Sequence, residues 1–453
     1  MRDECGEWRV ESGVEESACA DGFDLRKTFL ISTLNSPLST LAESEVFSVT
    51  LSGDNLMRVK RSNRSALLYA LHQNGAMSRK RLAQALSLTP AAITKITADL
   101  LHEGLIRESG TLASASAGRR EVLLEINPER RCALGVLINL RKAILSAVRP
   151  DGASVFVEEL ALPANADADE TTELLCVRLL ALTEEHRIPA GEILGVGVAV
   201  RGILTPDGRS VADSFGALAQ KDYPLCDRIE ALTGHRAVLE NNVRALFAAQ
   251  RFFDREEPDG PQFFLRCEYG IGAAMTIDGQ MLRGATQQCA EIGHIPVIRR
   301  GGKLCSCGKT GCLETVASPA AIAEAASEAL SERDTPILWR AHRAEPEKPI
   351  DVEDVLTAAA GGDAGAGRIV DEAVIALAGA LKSVVYLLDP NRIVLYGRMF
   401  DHPYFLSRLG GEMQEGMDGS HAAALEKSRY NRTLDRSAAA LLAVRDCFDH
   451  GGM

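Results

Sequence analysis

The sequence predicts an α/β protein in which a small helical module precedes a larger alternating region. Three observations carry that expectation. From residue 131 to 446, short aliphatic runs alternate with stretches of helical period, the pattern of strands and helices built around a sheet. Residues 57–127 instead show three closely spaced helical segments and then an alternating one. Charge is unevenly spread: residues 57–120 carry 11 Lys/Arg against 3 Asp/Glu, net +8, within a chain of net −12.

The first 56 residues are acidic and lack a clear helical or strand period. They read as a poorly ordered extension, or as the product of a start placed too far upstream of Met57; a short ordered subdomain is the remaining alternative. In "RSNRSALLYALHQNG", Leu67, Leu68 and Leu71 share one face and Gly75 ends the helix. The next helix starts at Ser78 as N-cap and is expected to bury Leu82, Ala85 and Leu86. The third has Thr89 as N-cap and Pro90 at its first position. Ile93, Ile96 and Leu100 form its inner stripe, which leaves Ala91, Thr94 and Lys95 outside.

A small-residue loop, "ASASAGRR", then leads into the alternating strand "EVLLEIN". Helix, helix, turn, helix and a loop between strands make a winged helix-turn-helix, whose third helix enters the major groove. A basic block is the electrostatic footprint of phosphate contact. The candidate DNA-contacting residues are Ser78, Arg79, Thr89, Pro90, Ala91, Thr94 and Lys95, with Arg119 and Arg120 on the wing. A three-helix bundle with no DNA role is the alternative.

Beyond residue 131, "ALGVLINL", "KAILSAVRPDG", "ILGVGVAVRG", "AVLENN", "QFFLRCEYGIGAAMTIDG" and "RIVLYG" read as strands. "TTELLCVRLLALTEEH", "DYPLCDRIEALTG", "VRALFAAQRFF", "SPAAIAEAASEAL" and "AGRIVDEAVIALAGALKSVVYLL" read as helices. A region of this length is expected to form two lobes facing a cleft. The 46% hydrophobic and 25% charged composition excludes a disordered or collagen-like chain. No run approaches the roughly 18 apolar residues of a membrane span, and the N-terminus lacks the apolar core of a signal peptide. A cytoplasmic protein with no membrane partner is expected.

Of the 11 cysteines, Cys305, Cys307 and Cys312 lie close together, shortly after His294. In a reducing compartment such a group points to metal rather than to disulfides. Three thiolates and one imidazole make a closed tetrahedral set suited to structural zinc, with no position left for water. The metal would organise the 294–312 loop rather than catalyse.

The segments "NRSALLYALHQNG", "LTPAAITKITADLLHEGLI" and "AGRREVLLEIN", with "EIGHIPV" followed by "CSCGKTGCLE", resemble the ROK family of sugar kinases and of repressors carrying a DNA-binding module in front. The resemblance covers 57–446 and implies a two-lobed, actin-like, duplicated ribonuclease-H-type fold over 131–446. It also implies a sugar site made of Asn241, Asn242, Glu291, His294 and Glu314, with His294 serving both sugar and zinc.

The same resemblance speaks against catalysis. The family's general base, an aspartate, corresponds to Asn242, and an amide has no useful basicity near neutral pH. The first phosphate loop corresponds to Leu137–Arg141, which has lost its carboxylate and both glycines. Glu268 adds a repelling charge beside Gly270 and Gly272, and Gly397 alone remains of the adenosine segment. No catalytic residue is therefore assigned. The expected function is a sugar-controlled transcriptional regulator, a repressor of sugar uptake or catabolism genes, binding operator DNA as a homodimer or homotetramer. An active sugar kinase and a ligand-free, constitutive DNA-binding protein are the alternatives.

Overall fold

The computed structural model describes residues 53–452, apart from 113–119, 164, 255–259, 418–423 and 431–432. The extension read over 1–56 lies outside these residues except for its last four. Those four already belong to a helix: α1 spans Gly53–Asn74, so it starts upstream of Met57.

The N-terminal module follows α1 with β1 (Met77–Ser78), α2 (Arg79–Ala85), α3 (Pro90–His102), β2 (Ile106–Leu112) and β3 (Glu121–Ile126). Ser78 caps α2 by accepting from the Arg81 amide, and Thr89 caps α3 by accepting from Ala92, with Pro90 at the first position. Strands β1, β3 and β2 form a small antiparallel sheet in that order. Leu67, Leu68, Leu82, Ile93, Leu100 and Leu124 are fully buried between helices and sheet. One expectation fails: Ala85 is exposed, and Leu86 only half-buried. Helix α2 is two turns long, and it turns Leu82 and Ala83, rather than Ala85, towards the core.

Next come β4 (Cys132–Ile138), β5 (Lys142–Val148), β6 (Ser154–Ala161), α4 (Ala168–Glu185), β7 (Ile193–Val200), β8 (Ile203–Leu204) and β9 (Val211–Asp213). Then α5 (Leu225–Thr233), β10 (Ala237–Asn241) and α6 (Asn242–Phe253) complete the first lobe. Its five-stranded sheet has the order β10-β7-β4-β5-β6, with β4, β5 and β6 an antiparallel meander and β7 and β10 parallel to β4.

The second lobe opens with β11 (Gln262–Cys267), β12 (Ile271–Ile277) and β13 (Gln280–Met281). Five helices follow: α7 (Glu314–Ala317), α8 (Pro319–Glu328), α9 (Pro336–Ala344), α10 (Val352–Ala360) and α11 (Ala364–Leu388). The chain ends with β14 (Arg392–Tyr396), α12 (Pro403–Gln414), β15 (Ala424–Lys427) and α13 (Ala438–Asp449).

The second sheet is ordered β13-β12-β11-β14-β15, again an antiparallel meander joined to two parallel strands. The two lobes thus repeat one strand order and one set of directions, which is the internal duplication expected of an actin-like fold.

Helix α13 returns to the first lobe and lies on β4 and β7. At Gly197 of β7 a Cβ would stand 1.8 Å from the Ala439 carbonyl oxygen, so only glycine lets the helix backbone come this close. Helix α6 is buried along its length, with Phe247 stacked on Phe264 of β11, ring centroids 5.2 Å apart. Helix α1 packs on these two helices. Tyr69 donates to Asp449 over 2.6 Å, and the buried Arg64 donates to the Gly451 carbonyl and pairs with Glu103. No helix among the described residues is long and apolar enough to cross a membrane.

Candidate functional site

A cavity of about 470 Å³ opens where the carboxyl ends of the parallel strands β4, β7 and β10 meet the β11–β12 hairpin. Strand ends of this kind are where open α/β sheets bind ligands, because neighbouring connections diverge there. All five sequence-predicted sugar residues line it: Asn241, Asn242, Glu291, His294 and Glu314.

Their bonds separate them into two groups. Asn241 is the N-cap of α6: its side-chain oxygen accepts from the amides of Val243 and Arg244, and its Nδ2 donates to the Gly202 carbonyl. Its acceptor is therefore committed to the fold. Asn242, the next residue, is buried, and among the described residues its side chain uses only Nδ2, towards Asn139 Oδ1 at 3.4 Å. Its amide oxygen is left as an acceptor for a ligand.

Glu314 opens α7, and its Oε2 accepts from the Ile271 amide over 2.9 Å, which ties α7 to the hairpin. A Cβ on Gly270 would stand 2.3 Å from that same oxygen, so a larger residue there would push the Glu314 carboxylate off the Ile271 amide. Glu268 sits in the same hairpin turn. Burial pushes its carboxyl above the usual carboxylate range; Arg266 opposes the rise and Asp435 adds to it.

His294 joins the cavity to a second cluster. The donor atoms of His294, Cys305, Cys307 and Cys312 all lie within 4.8 Å of one another, and together they could hold a metal ion. Nδ1 of His294 faces Cys305 Sγ at 3.5 Å, and Cys307 Sγ lies 3.6 Å from Cys312 Sγ. The other ring nitrogen, Nε2, stands 3.9 Å from the Glu291 carboxylate. One imidazole thus presents one edge to the thiols and the other to the cleft. The loop is knitted by its own backbone, Cys305 donating to Lys309 and Leu313 to Ile295.

On the N-terminal module, Thr89, Pro90, Ala91, Thr94 and Lys95 are exposed along the start of α3. Ser78 is buried as a cap. Arg79 donates through Nε to Thr97 Oγ1 of α3 over 3.0 Å, so it braces one helix on the other. Arg120 is exposed, and Arg119 lies outside the described residues.

Sequence reasoning missed Asn139 and Arg201, which also line the cavity. A signal was present, because each directly follows a strand of the parallel core. A model described as ROK family matches residues 148–441, and one described as MarR family matches 62–109. The chain is 25% identical over 347 residues to the DNA-binding transcriptional dual regulator NagC of Escherichia coli, covering 76% of this chain and 82% of that protein. It is 26% identical over 338 residues to the DNA-binding transcriptional repressor Mlc of the same organism, covering 75% and 81%. In three dimensions it resembles a crystal structure of a ROK family transcriptional regulator, described as a homologue of the E. coli MLC protein. That match has a TM-score of 0.75 and 23% identity, and covers 87% of this chain and 98% of the other.

Proposed function

The chain belongs to the ROK family, and from that premise we propose that it is a transcriptional repressor whose kinase-like cleft senses a sugar without phosphorylating it. The observation that carries this reading is the direct packing of α1, the first helix of the winged-helix module, on α6 and α13 of the cleft-bearing lobe. A DNA-binding module fixed to the helix that starts in the cleft gives an effector a mechanical route to the operator. The likeness to NagC, a DNA-binding transcriptional dual regulator, and to Mlc, a DNA-binding transcriptional repressor, supports the same assignment.

In this reading residues 57–127 bind operator DNA and 131–446 form the effector domain, in a cytoplasmic homodimer or homotetramer. Lys95, Thr94 and Ala91 face the bases from α3, and the wing residues Arg120 and, beside it in the sequence, Arg119 serve contact with backbone or minor groove. Asn242, Glu291 and His294 receive sugar hydroxyls, while Asn241 and Glu314 hold the walls of the site. The metal is zinc. Zinc–thiolate bonds of about 2.3 Å give a tetrahedron with edges of about 3.8 Å, and the cluster's 3.5 and 3.6 Å contacts fit that size.

Phosphoryl transfer is lost. Asn242 cannot take a proton from an attacking hydroxyl, and Asn139-Leu140-Arg141 stands where backbone must approach phosphate. The test combines two measurements on the full chain. DNA from upstream of its own gene is expected to be retarded and then released by one sugar class, and ADP release with ATP and common hexoses is expected to stay at background. Sustained ADP release abolished by Glu291→Ala would make the protein a kinase.

A further inference from the structure

Two aromatic rings stand open to the cleft, one from each lobe. Phe215, between β9 and α5, is 37% exposed, and Tyr269, in the turn between β11 and β12, is 75% exposed. Both line the cavity. Among the described residues neither ring packs on another aromatic ring, and the Tyr269 hydroxyl makes no hydrogen bond. Rings of this size normally serve a core or an interface.

The backbone at Phe215 sharpens the point. Ala217 donates to the Ser214 carbonyl over 3.2 Å, which closes a turn with φ of 50° at Phe215 and 83° at Gly216. Positive φ at both central residues is the mirror-image turn of type I′, in which Asn, Asp or Gly is the usual first central residue. A bulky side chain there is strained, because its Cβ crowds the backbone.

The surroundings hold the turn nonetheless. The Phe215 amide donates to Asp213 Oδ1 over 2.8 Å, and the Gly216 carbonyl accepts from the Asn165 amide over 3.0 Å. Ser214 Oγ accepts from the Leu218 amide over 2.8 Å and donates to the Leu218 carbonyl over 3.0 Å. None of these bonds uses the phenyl ring, so a residue better suited to the turn would keep them all. Strain retained around one open side chain points to a use for that side chain.

Leu140 adjoins the same turn: its Cδ1 lies 3.7 Å from where a Cβ on Gly216 would stand, and it too lines the cavity. This part of the first-lobe wall is therefore apolar. A sugar hydroxyl pressed against Phe215 or Leu140 would give up water and gain no partner, whereas an apolar ring pays no such penalty. On the second lobe, the Tyr269 turn is fixed by the Glu268 amide, which donates to the Gly270 carbonyl over 3.2 Å, and by Glu314 on the Ile271 amide. The cavity's 470 Å³ falls in the range of about 300–1,000 Å³ that takes drug-sized ligands, so it has room for more than one pyranose ring.

We propose that the effector is a glycoside with an apolar, ring-bearing aglycone. Its sugar hydroxyls meet Asn242, Glu291 and His294, and its aglycone lies against Phe215 and Tyr269. This rests on the reading of the cleft as the effector site and adds the chemical class of the ligand and the residues that select it. The two rings belong to different lobes, so an aglycone held by both favours one lobe arrangement over another.

Calorimetric titration of the full, metal-loaded chain tests this by comparing glucose, xylose and N-acetylglucosamine with their phenyl α- and β-glycosides and with cellobiose and maltose. At least one phenyl glycoside is expected to bind about tenfold or more tighter than its parent sugar. Phe215→Asn and Tyr269→Ala are each expected to bring that ratio towards unity with the affinity for the free sugar kept, and Tyr269→Phe is expected to preserve it. Phe215→Asn supplies the Asn-Gly pair that such turns favour, so it is expected not to lower the thermal transition, which separates lost selection from lost folding. Free sugars binding as tightly as their phenyl glycosides would overturn the proposal and leave the sugar-sensing reading standing. Cellobiose or maltose binding as tightly as the phenyl glycoside would overturn the apolar aglycone in favour of a second sugar ring. A preference that survives both substitutions would overturn the assignment to these two rings. Binding of none of these compounds would remove the sugar-sensing reading and the proposal with it.

Discussion

Nε2 of His72 lies 2.7 Å from the carbonyl oxygen of Phe252, and the imidazole packs on the Phe252 ring with centroids 4.0 Å apart. His72 belongs to the last turn of α1, in the DNA-binding module, and Phe252 to the last turn of α6. Carbonyls in the last turn of a helix have no donor within it, so the imidazole N–H satisfies one of them. The opposite end of α6 begins at Asn242, in the cleft. At 1.5 Å per residue, its 12 residues span about 18 Å. One buried helix therefore touches the cleft at one end and the DNA-binding module at the other. A ligand that prefers one position of α6 over another shifts the module by that difference in affinity.

His72→Ala removes the donor and the stacked ring together. The expected cost is about 1–2 kcal/mol, measured as a lower urea midpoint. His72→Gln keeps a donor and is expected to recover part of it. Hydrogen exchange should speed up along α1 and the C-terminal turn of α6 in the alanine variant. An unchanged midpoint would mean that this contact does not hold the module to the lobe.

The charge of the module leads to a second prediction. Several of its 11 Lys/Arg are matched by acids: Lys60 faces Asp99, Arg64 pairs with Glu103, and Arg107 pairs with Glu125 and Glu129. Among the described residues Arg58, Arg81, Lys95 and Arg120 have no ion-pair partner. Each phosphate-contacting cation adds about one unit to the slope of log affinity against log salt. Arg81→Ala and Lys95→Ala are each expected to lower that slope by about one on a random-sequence duplex, read by fluorescence anisotropy. Arg79→Ala, which loses the bond to Thr97, is expected to cost about 1 kcal/mol of stability and to change the slope less. Equal slopes for Arg79 and Lys95 variants would contradict this division.

What the sequence disclosed follows from which features are local. Ser78, Thr89 and Pro90 announced their helices because a cap is a short-range bond, and the Cys/His set announced itself by spacing. Helix α13 escaped because Ala438 to Val444 are all buried, so no polar face marks that stretch as helical. The duplication was legible only through the family resemblance, because pairing between distant strands leaves no local mark. An asparagine that caps a helix and one that binds a hydroxyl look the same in sequence, so the capping of α6 by Asn241, through the amides of Val243 and Arg244, is legible only in the fold.

Metal removal should be felt in the cleft before it is felt in the DNA-binding module. Cys312 is two residues from Glu314, whose carboxylate holds the Ile271 amide, and His294 is shared between cluster and cavity. One equivalent of zinc is expected by atomic emission, and Cys307→Ser or a strong chelator should remove it. The Ile271 amide should then exchange faster, while amides of α2 and α3 keep their protection. Unaltered exchange at Ile271 after verified metal loss would uncouple the cluster from the cleft.

Acid stability draws on Glu240, buried at the end of β10. It accepts from Arg244 Nε over 2.6 Å, from Arg283 over 2.7 Å and from the Asn241 amide over 2.8 Å. Burial by itself would raise its pKa, but the two guanidinium groups outweigh it and hold the carboxyl below its ordinary value. A carboxylate with a depressed folded-state pKa contributes stability that is fully present above its unfolded value, about 4.3, and is lost as pH falls through the folded value. The wild-type urea midpoint should therefore carry no slope from this group between about pH 6 and 8, and should drop below about pH 4.3. Glu240→Gln leaves the buried Arg244 without its counterion, at an expected cost of about 3–5 kcal/mol at pH 7. The same variant should lose part of the acid limb, because the titrating group is gone. A midpoint that falls with the same steepness in Glu240→Gln and wild type would assign the acid limb to other carboxylates. Arg244 also donates to the Gln287 carbonyl in the segment leading to Glu291, so the substitution should weaken ligand binding in the cleft as well as stability.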